Sequence, residues 1–280
     1  MGVSGRAREE RERFDAFYRE KWREHEGFWI DRYPPEHSVY AAAVYGRRNE
    51  AILEAAGPNP GTTLDLGCGL GDLARAFADT GARVVATDVS IENARRTREN
   101  LGVAGRSAPV VQGEGEHLPF GDAAFDLVIL ADVIEHVDSV GATLREVARV
   151  LRFGGRLICV TPLRATLRAM QAVDRLAYRI ARPANSSSAG PIPAVHERFL
   201  SASELRVALV AAGLRPIRFE RVCFYPAPET AGAFGAVMAR LHRRGDESRF
   251  QQISSRASRV FGLIEHLRIF NQKQLWVARR

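Results

Sequence analysis

Two rhythms of apolar and polar residues run through this chain, one of period two and one of period 3.6. Short apolar runs near 62–66, 83–87, 109–112, 125–130 and 155–161 read as strands. Between them, stretches near 71–79, 91–101 and 140–151 carry apolar residues at helical spacing. Strands alternating with helices predict a parallel sheet with helices on both faces. Further on, Ser201-Ala-Ser-Glu204 reads as a capping box that starts a helix, and Gly213 as the left-handed residue that ends it. Arg215–Phe224 and Gln274–Arg279 read as two more strands.

The flanks have a different texture. Residues 6–30 read as a charged helix with Phe14, Phe17, Trp22 and Phe28 as its apolar points, and Tyr33-Pro34-Pro35 breaks it. Val39–Ala56 reads as a second helix, and Gly57–Gly61 links it to the alternating region. This divides the chain into an N-terminal helical segment, 1–57, and a main domain, 58–280, with insertions at about 163–198 and 226–270. In the first insertion Arg164, Arg168, Arg175, Arg179 and Arg182 recur beside Leu163, Leu167, Met170, Leu176 and Ile180. Such a basic amphipathic helix suits a lid that meets a membrane surface or an acidic substrate group, or a helix packed on the sheet. Asn185–Gly190 reads as a hinge after it, with His196 beyond.

Composition narrows the class. The 280 residues are 46% hydrophobic and 26% charged, as in ordinary soluble domains. No run approaches the ~18 apolar residues of a membrane span. The start, MGVSGRAREERERF, lacks the apolar stretch of a secretory signal. Three cysteines, Cys68, Cys159 and Cys223, are too few for a disulfide framework and suit a reducing cytoplasm. A net charge of +7 would favour an anionic partner or surface, although arginine-rich, alanine-rich composition also follows from a GC-rich coding sequence.

The chemistry concentrates in Leu64-Asp-Leu-Gly-Cys-Gly-Leu-Gly-Asp72. A strand ends in Asp65, and Gly67, Gly69 and Gly71 form a turn into a helix. Bare backbone beside a helix N-terminus and a carboxylate suits a ligand bearing both a carboxylate and an ammonium. Asp88, at the tip of the next strand, is placed for ribose hydroxyls. Glu114, after the third, is placed for an adenine amino group. The glycines do not match G-x-G-x-x-G, because Asp72 stands where the third is wanted, and no phosphate-cradling G-x-x-x-x-G-K-[ST] occurs.

LDLGCGLGDL, VVATDVS, GEGEHLPFGDAAFDLVILADVIEHV and EVARVLRFGGRLICVTP together resemble the class I S-adenosylmethionine-dependent methyltransferases. The resemblance covers about residues 60–223 and is greatest to small-molecule enzymes of the ubiquinone-pathway type. It implies a Rossmann-like, doubly wound, mostly parallel seven-stranded α/β sheet with the last strand antiparallel. It also implies S-adenosyl-L-methionine as cofactor. The cofactor would be bound by Asp65, Gly67, Cys68, Gly69, Gly71, Asp88, Val89, Glu114, Gly115 and Ala131. The family usually has Asp at the position of Glu114.

Asp132-Val-Ile-Glu135-His136 follows the fourth strand, where open parallel sheets bind ligands. Asp132, Glu135 and His136 are therefore the candidate catalytic residues. A histidine at pKa ~6.5 facing a phenol at ~10 leaves about 5 kcal/mol for full proton removal. An alcohol near ~15.7 would leave about 12 kcal/mol. An unaided His136 therefore suits a phenol, enol or amine, and an alcohol would call for a metal. Asp132, Glu135 and His136 make a candidate Mg²⁺ set. The quinone O-methyltransferases carry Glu where this chain has Asp132. Glu135 and His136 also admit a purely structural role as caps of a short helix. Arg47, Tyr40 and Tyr45 could close over the methionine end.

The expected reaction is methyl transfer to a small apolar or aromatic acceptor, on oxygen first, with carbon or nitrogen open. Isoprenoids, quinols, phenols and phosphorylated compounds are candidate acceptors. Phe199, Phe224, Tyr225, Phe234, Met238 and Phe261 would form an apolar cap. Nucleic acid is not expected, because no Asn/Asp-Pro-Pro-Tyr stretch follows the fourth strand. The expected location is cytoplasmic, with peripheral membrane contact through 163–182. The rival readings are a non-catalytic protein that kept the cofactor fold and, disfavoured by the glycine spacing, an NAD-dependent oxidoreductase.

Overall fold

A computed structural model describes residues 12, 14–20, 45–165, 198–222 and 273–280. Helix α1 spans 14–20 and α2 spans Arg47–Ala56. Then follow β1 (Thr62–Leu66), α3 (Asp72–Asp79), β2 (Arg83–Asp88), α4 (Ile91–Val103) and β3 (Val110–Gln112). The chain continues through β4 (Phe125–Ala131), α5 (Val140–Val150) and β5 (Leu151–Pro162). It closes with α6 (Ala202–Ala211), β6 (Arg215–Val222) and β7 (Lys273–Arg279). Residues 39–44, the hinge, His196, the basic helix beyond 165 and the insertion at 226–270 lie outside the described residues.

The seven strands form one sheet in the order β3-β2-β1-β4-β5-β7-β6. β1 runs parallel to β2 and β4, and β2 to β3, while β5 runs parallel to β4. β7 runs antiparallel to both β5 and β6. The fold is therefore the doubly wound, mostly parallel sheet that the alternation of elements implies.

Burial explains why both faces are covered. In β4, Leu127 and Ile129 pack into one apolar cluster, with Ile52 of α2, Phe77 of α3 and Leu101 of α4. Val128 and Leu130 pack into the other, with Leu144 of α5 and Leu205 and Leu209 of α6. Successive residues of a strand point to opposite faces, so a continuous apolar run needs helices on both sides.

Local signals set the helix starts. Ser201 Oγ accepts from Glu204 N at 3.3 Å, and Glu204 Oε2 accepts from Ser201 N at 2.8 Å, which completes the capping box. Ser90 Oγ likewise accepts from Asn93 N at 3.3 Å and caps α4. Each such cap contributes about 1 kcal/mol. Strand order reverses between β1 and β4, and the carboxyl ends of β1, β2 and β4 meet there. In open α/β sheets that crevice is where ligands bind.

Candidate active site

The crevice holds a cavity of about 400 Å³. That is within the range of small-molecule sites. Gly67, Gly69, Asp88, Val89, Glu114, Gly115, Asp132 and His136 line it, as does Val133. The remaining expected site residues, Asp65, Cys68, Gly71, Ala131 and Glu135, are not part of that lining.

The glycine loop is held from beneath. Gly67 N and Cys68 N both donate to Thr87 O, at 2.7 and 3.0 Å. At Gly67 φ is +78°, and a Cβ there would stand 2.3 Å from Val133 Cγ2. At Gly71 φ is +90°, and a Cβ would stand 2.9 Å from Thr97 Cγ2. Both positions thus need glycine for conformation and for space. Cys68 is buried with its Sγ 3.4 Å from Thr97 Oγ1, so its thiol supports the loop.

Asp88 does more than face the cavity. Its Oδ2 accepts from Gly69 N at 2.9 Å. Its Oδ1 accepts from Ser90 N at 2.9 Å and from Asn93 Nδ2 at 3.2 Å. Burial pushes its carboxyl up to about 6, against those hydrogen bonds. Asp88 therefore fixes the glycine loop as well as offering an acceptor. Asp65 is buried at the tip of β1, and its Oδ2 has no hydrogen-bond partner among the described residues. Burial pushes Asp65 up to about 7, while Arg48 pulls it down. A buried carboxylate oxygen without a donor is costly and calls for one. The bare loop, the Asp65 oxygen and the Asp88 acceptor fit an amino-acid-bearing nucleoside.

Both catalytic-acid candidates have partners within the fold. Arg48 Nη1 reaches Asp132 Oδ2 at 2.8 Å, and Lys273 Nζ donates to the same oxygen. Burial pushes Asp132 up, but Lys273 and Arg48 together hold it below its ordinary value. Its φ is +58°, a left-handed conformation that Asp tolerates better than most residues. Glu135 is 2% exposed and is not part of the cavity lining. Thr161 Oγ1 donates to its Oε2 at 2.8 Å, and its backbone oxygen accepts from Arg198 N at 2.8 Å. It ties β4 to β5 and to the strand-like return at Leu200. Burial first, then Asp132, pushes its carboxyl up to about 8. Among the described residues no three His, Cys, Asp or Glu side chains are grouped to hold a metal ion.

The first turn of α2 brings a correction. Arg47 is exposed and pairs with Glu50 at 3.0 Å. The inward arginine is its neighbour Arg48, whose guanidinium also lies 5.1 Å from the Tyr45 ring centroid. Tyr45 thus belongs to this corner, and Tyr40 lies outside the described residues. Arg48 and Lys273 gave no sequence signal, because neither sits in a motif. Phe14 and Tyr18 of α1 also line the cavity. They stand four residues apart, on one helix face. Asp15 Oδ1 accepts from Ile91 N at 2.8 Å and docks α1 on the start of α4. Burial, then the nearby Asp88, pushes the Tyr18 phenol above its ordinary value.

Residues 64–159 match the family described as methyltransferase domain. A malonyl-[acyl-carrier protein] O-methyltransferase of Geobacter sulfurreducens is 33% identical over 181 residues, covering 63% of this chain and 65% of that protein. A ubiquinone/menaquinone biosynthesis C-methyltransferase, UbiE, of Ectopseudomonas mendocina is 35% identical over 135 residues, covering 45% of this chain and 52% of that protein. The chain thus spans less than two thirds of the length of either relative. An S-adenosylmethionine dependent methyltransferase from Mesorhizobium loti has the same fold, with a TM-score of 0.53 at 19% identity, covering 84% of this chain and 99% of that one. Residues 64–159 are thus similar to methyltransferase domains, and the fold is the one seen in S-adenosylmethionine dependent methyltransferases of known structure.

Proposed function

We propose that this protein transfers a methyl group from S-adenosylmethionine to a small quinol or phenol. When bound, the cofactor supplies a methyl group already activated on a sulfonium, so in-line displacement needs mainly alignment. Alignment alone contributes roughly 7–11 kcal/mol. The loop at Gly67 and Gly69 would hold the amino-acid end, with Asp65 answering its ammonium and Asp88 its ribose. Phe14 and Tyr18 would exclude water from the nucleoside. Val133 and Val137, on the same wall as His136, present an apolar surface to an aromatic ring. His136 would take the acceptor's hydroxyl proton, a task of about 5 kcal/mol for a phenol.

The observation that carries this reading is the placement of His136 on the wall of the same cavity as Asp88 and the glycine loop. The names of the two relatives support both oxygen and carbon as the methylated atom. A quinol offers both, since ionising its hydroxyl also makes the adjacent ring carbon nucleophilic. The test is incubation with methyl-labelled cofactor and a panel of quinols, phenols, isoprenoids and amines, followed by mapping of the label. Labelled quinol or phenol is the expected result. Tight S-adenosylhomocysteine binding with no label on any quinol or phenol would overturn the acceptor class.

A further inference from the structure

Among the described residues β6 is the last strand of the sheet, and it pairs with β7 alone. An edge strand carries a row of backbone donors and acceptors that can template another strand. Phe219 of β6 packs against Trp276 of β7, with ring centroids 4.6 Å apart, yet it is 41% exposed, and Ile217 is 45% exposed. Together with Ser203 and Arg206 of α6 they line an open groove of about 420 Å³. Val210 stands four residues after Arg206 and so shares its stripe of α6, and Val207 lies beside that stripe. The two valines are 58% and 69% exposed. Apolar surface thus continues from the strand onto the helix, and exposed apolar surface of this kind marks an interaction face.

The charges beside this patch select its occupant. Arg218 and Glu220 flank Phe219 and point to the opposite face of the sheet, where Arg218 Nη2 lies 3.5 Å from Glu54 of α2. Arg218 Nε also donates to Glu220 Oε1 at 2.7 Å. From Arg218 to Val222 the strand keeps a regular register with β7. Two such strands, set antiparallel about a two-fold axis through Phe219, place position 218 of each copy opposite position 220 of the other. Arg218 then meets Glu220 twice, and Phe219 meets Phe219. Opposite charges and aromatic pairs directly across two strands are stabilising, whereas like charges there are destabilising. Charges on an edge ordinarily keep other chains away. The order Arg-Phe-Glu is instead complementary to its own reverse.

We propose that β6 is a self-association edge. Two copies of this chain join their β6 strands antiparallel, continue one sheet across a two-fold axis, and cover Ile217, Phe219 and the exposed valines of α6. Such an interface is closed, since the same patch serves on both copies. It lies at the sheet edge away from the crevice between β1 and β4, so it stands independently of the methyl-transfer reading.

The test is sedimentation equilibrium of the full-length protein over a wide range of concentration. Wild type should form a dimer. Arg218→Glu leaves each copy with acids at both positions, and Glu220→Arg leaves each copy with arginines at both. Either variant alone should dimerise about tenfold or more weakly than wild type. Mixed in equal amounts, the two variants should associate again, because every acid of one now faces an arginine of the other. Thermal unfolding shows that each variant is folded. Where either charge variant does not fold, Ile217→Lys decides: a weakened dimer supports the proposal, and an unchanged one overturns it. A wild-type protein that stays monomeric also overturns it, whether the face is then bare or taken by a different protein. So does a dimer that neither charge variant weakens, or a mixture that associates no better than its two components alone.

Discussion

Asp88 answers three protein donors while facing the cavity, so its loss acts twice. Asp88→Ala removes a charge-assisted contact worth roughly 1.5–3 kcal/mol and also frees Gly69 N from its anchor. S-adenosylhomocysteine affinity should fall about tenfold or more, read by calorimetry. An unchanged affinity in a folded variant would remove the cofactor from this cavity. Asp65 adds a pH dependence. Its carboxyl, pushed up to about 7 by burial, must be ionised to receive an ammonium. Affinity should therefore rise between pH 6 and 8, and Asp65→Asn should flatten that rise. His136→Ala should lower turnover by ~10²–10⁴ with cofactor affinity nearly unchanged, as for a lost general base. Activity within a few-fold of wild type would make His136 structural.

At the scale of elements, α1 docks on the domain beside the cavity. It meets the domain through Asp15 on the first N–H of α4 and through Phe14 and Tyr18 over the cavity. A single hydrogen bond contributes about 1 kcal/mol. Asp15→Ala should thus weaken S-adenosylhomocysteine binding by roughly two- to tenfold and speed proteolysis at Arg19. Equal proteolysis rates in wild type and variant would show that α1 is held by its apolar contacts alone. Strand β5 pairs with β4 on one side and β7 on the other over its whole apolar stretch. Its residues Ile158, Cys159 and Val160 are fully buried, and this strand carries Thr161 to Glu135.

For the whole molecule, the buried acids set how stability responds to pH. Glu135 titrates at about 8 in the fold, against ~4.3 in an unfolded chain. Between those values the unfolded chain has lost a proton that the native protein keeps, so stability falls as pH rises. Asp65, at about 7, acts in the same direction over a narrower window. Glu135→Gln keeps an oxygen for Thr161 and has no proton to lose. Its Tm should decline less between pH 5 and 8 and should exceed that of wild type at pH 8. Parallel Tm curves for the two proteins would show that Glu135 does not titrate in the fold.

Periodicity and spacing carried the architecture by themselves. A run such as Leu127–Ala131 is apolar at every position, which fits a strand buried on both faces. Gly67, Gly71, Ser201 and Gly213 declare their turns and caps locally, because the conformations they permit depend on their own covalent structure. The position of Asp88 at a strand tip followed from the same strand-turn-helix grammar. The charged corner followed from none of this. Nothing local distinguishes Arg48 from Arg47; the helical rotation of one residue sends the first inward and the second to solvent. The sequence offered no partner for Asp132, because Arg48 and Lys273 lie on α2 and on the last strand, far away in the chain. Glu135 read as catalytic because it adjoins His136, yet their side chains face different surroundings. Partner choice among charges is settled by which side chains the sheet brings within hydrogen-bond distance, and that distance exists only after the strands have paired.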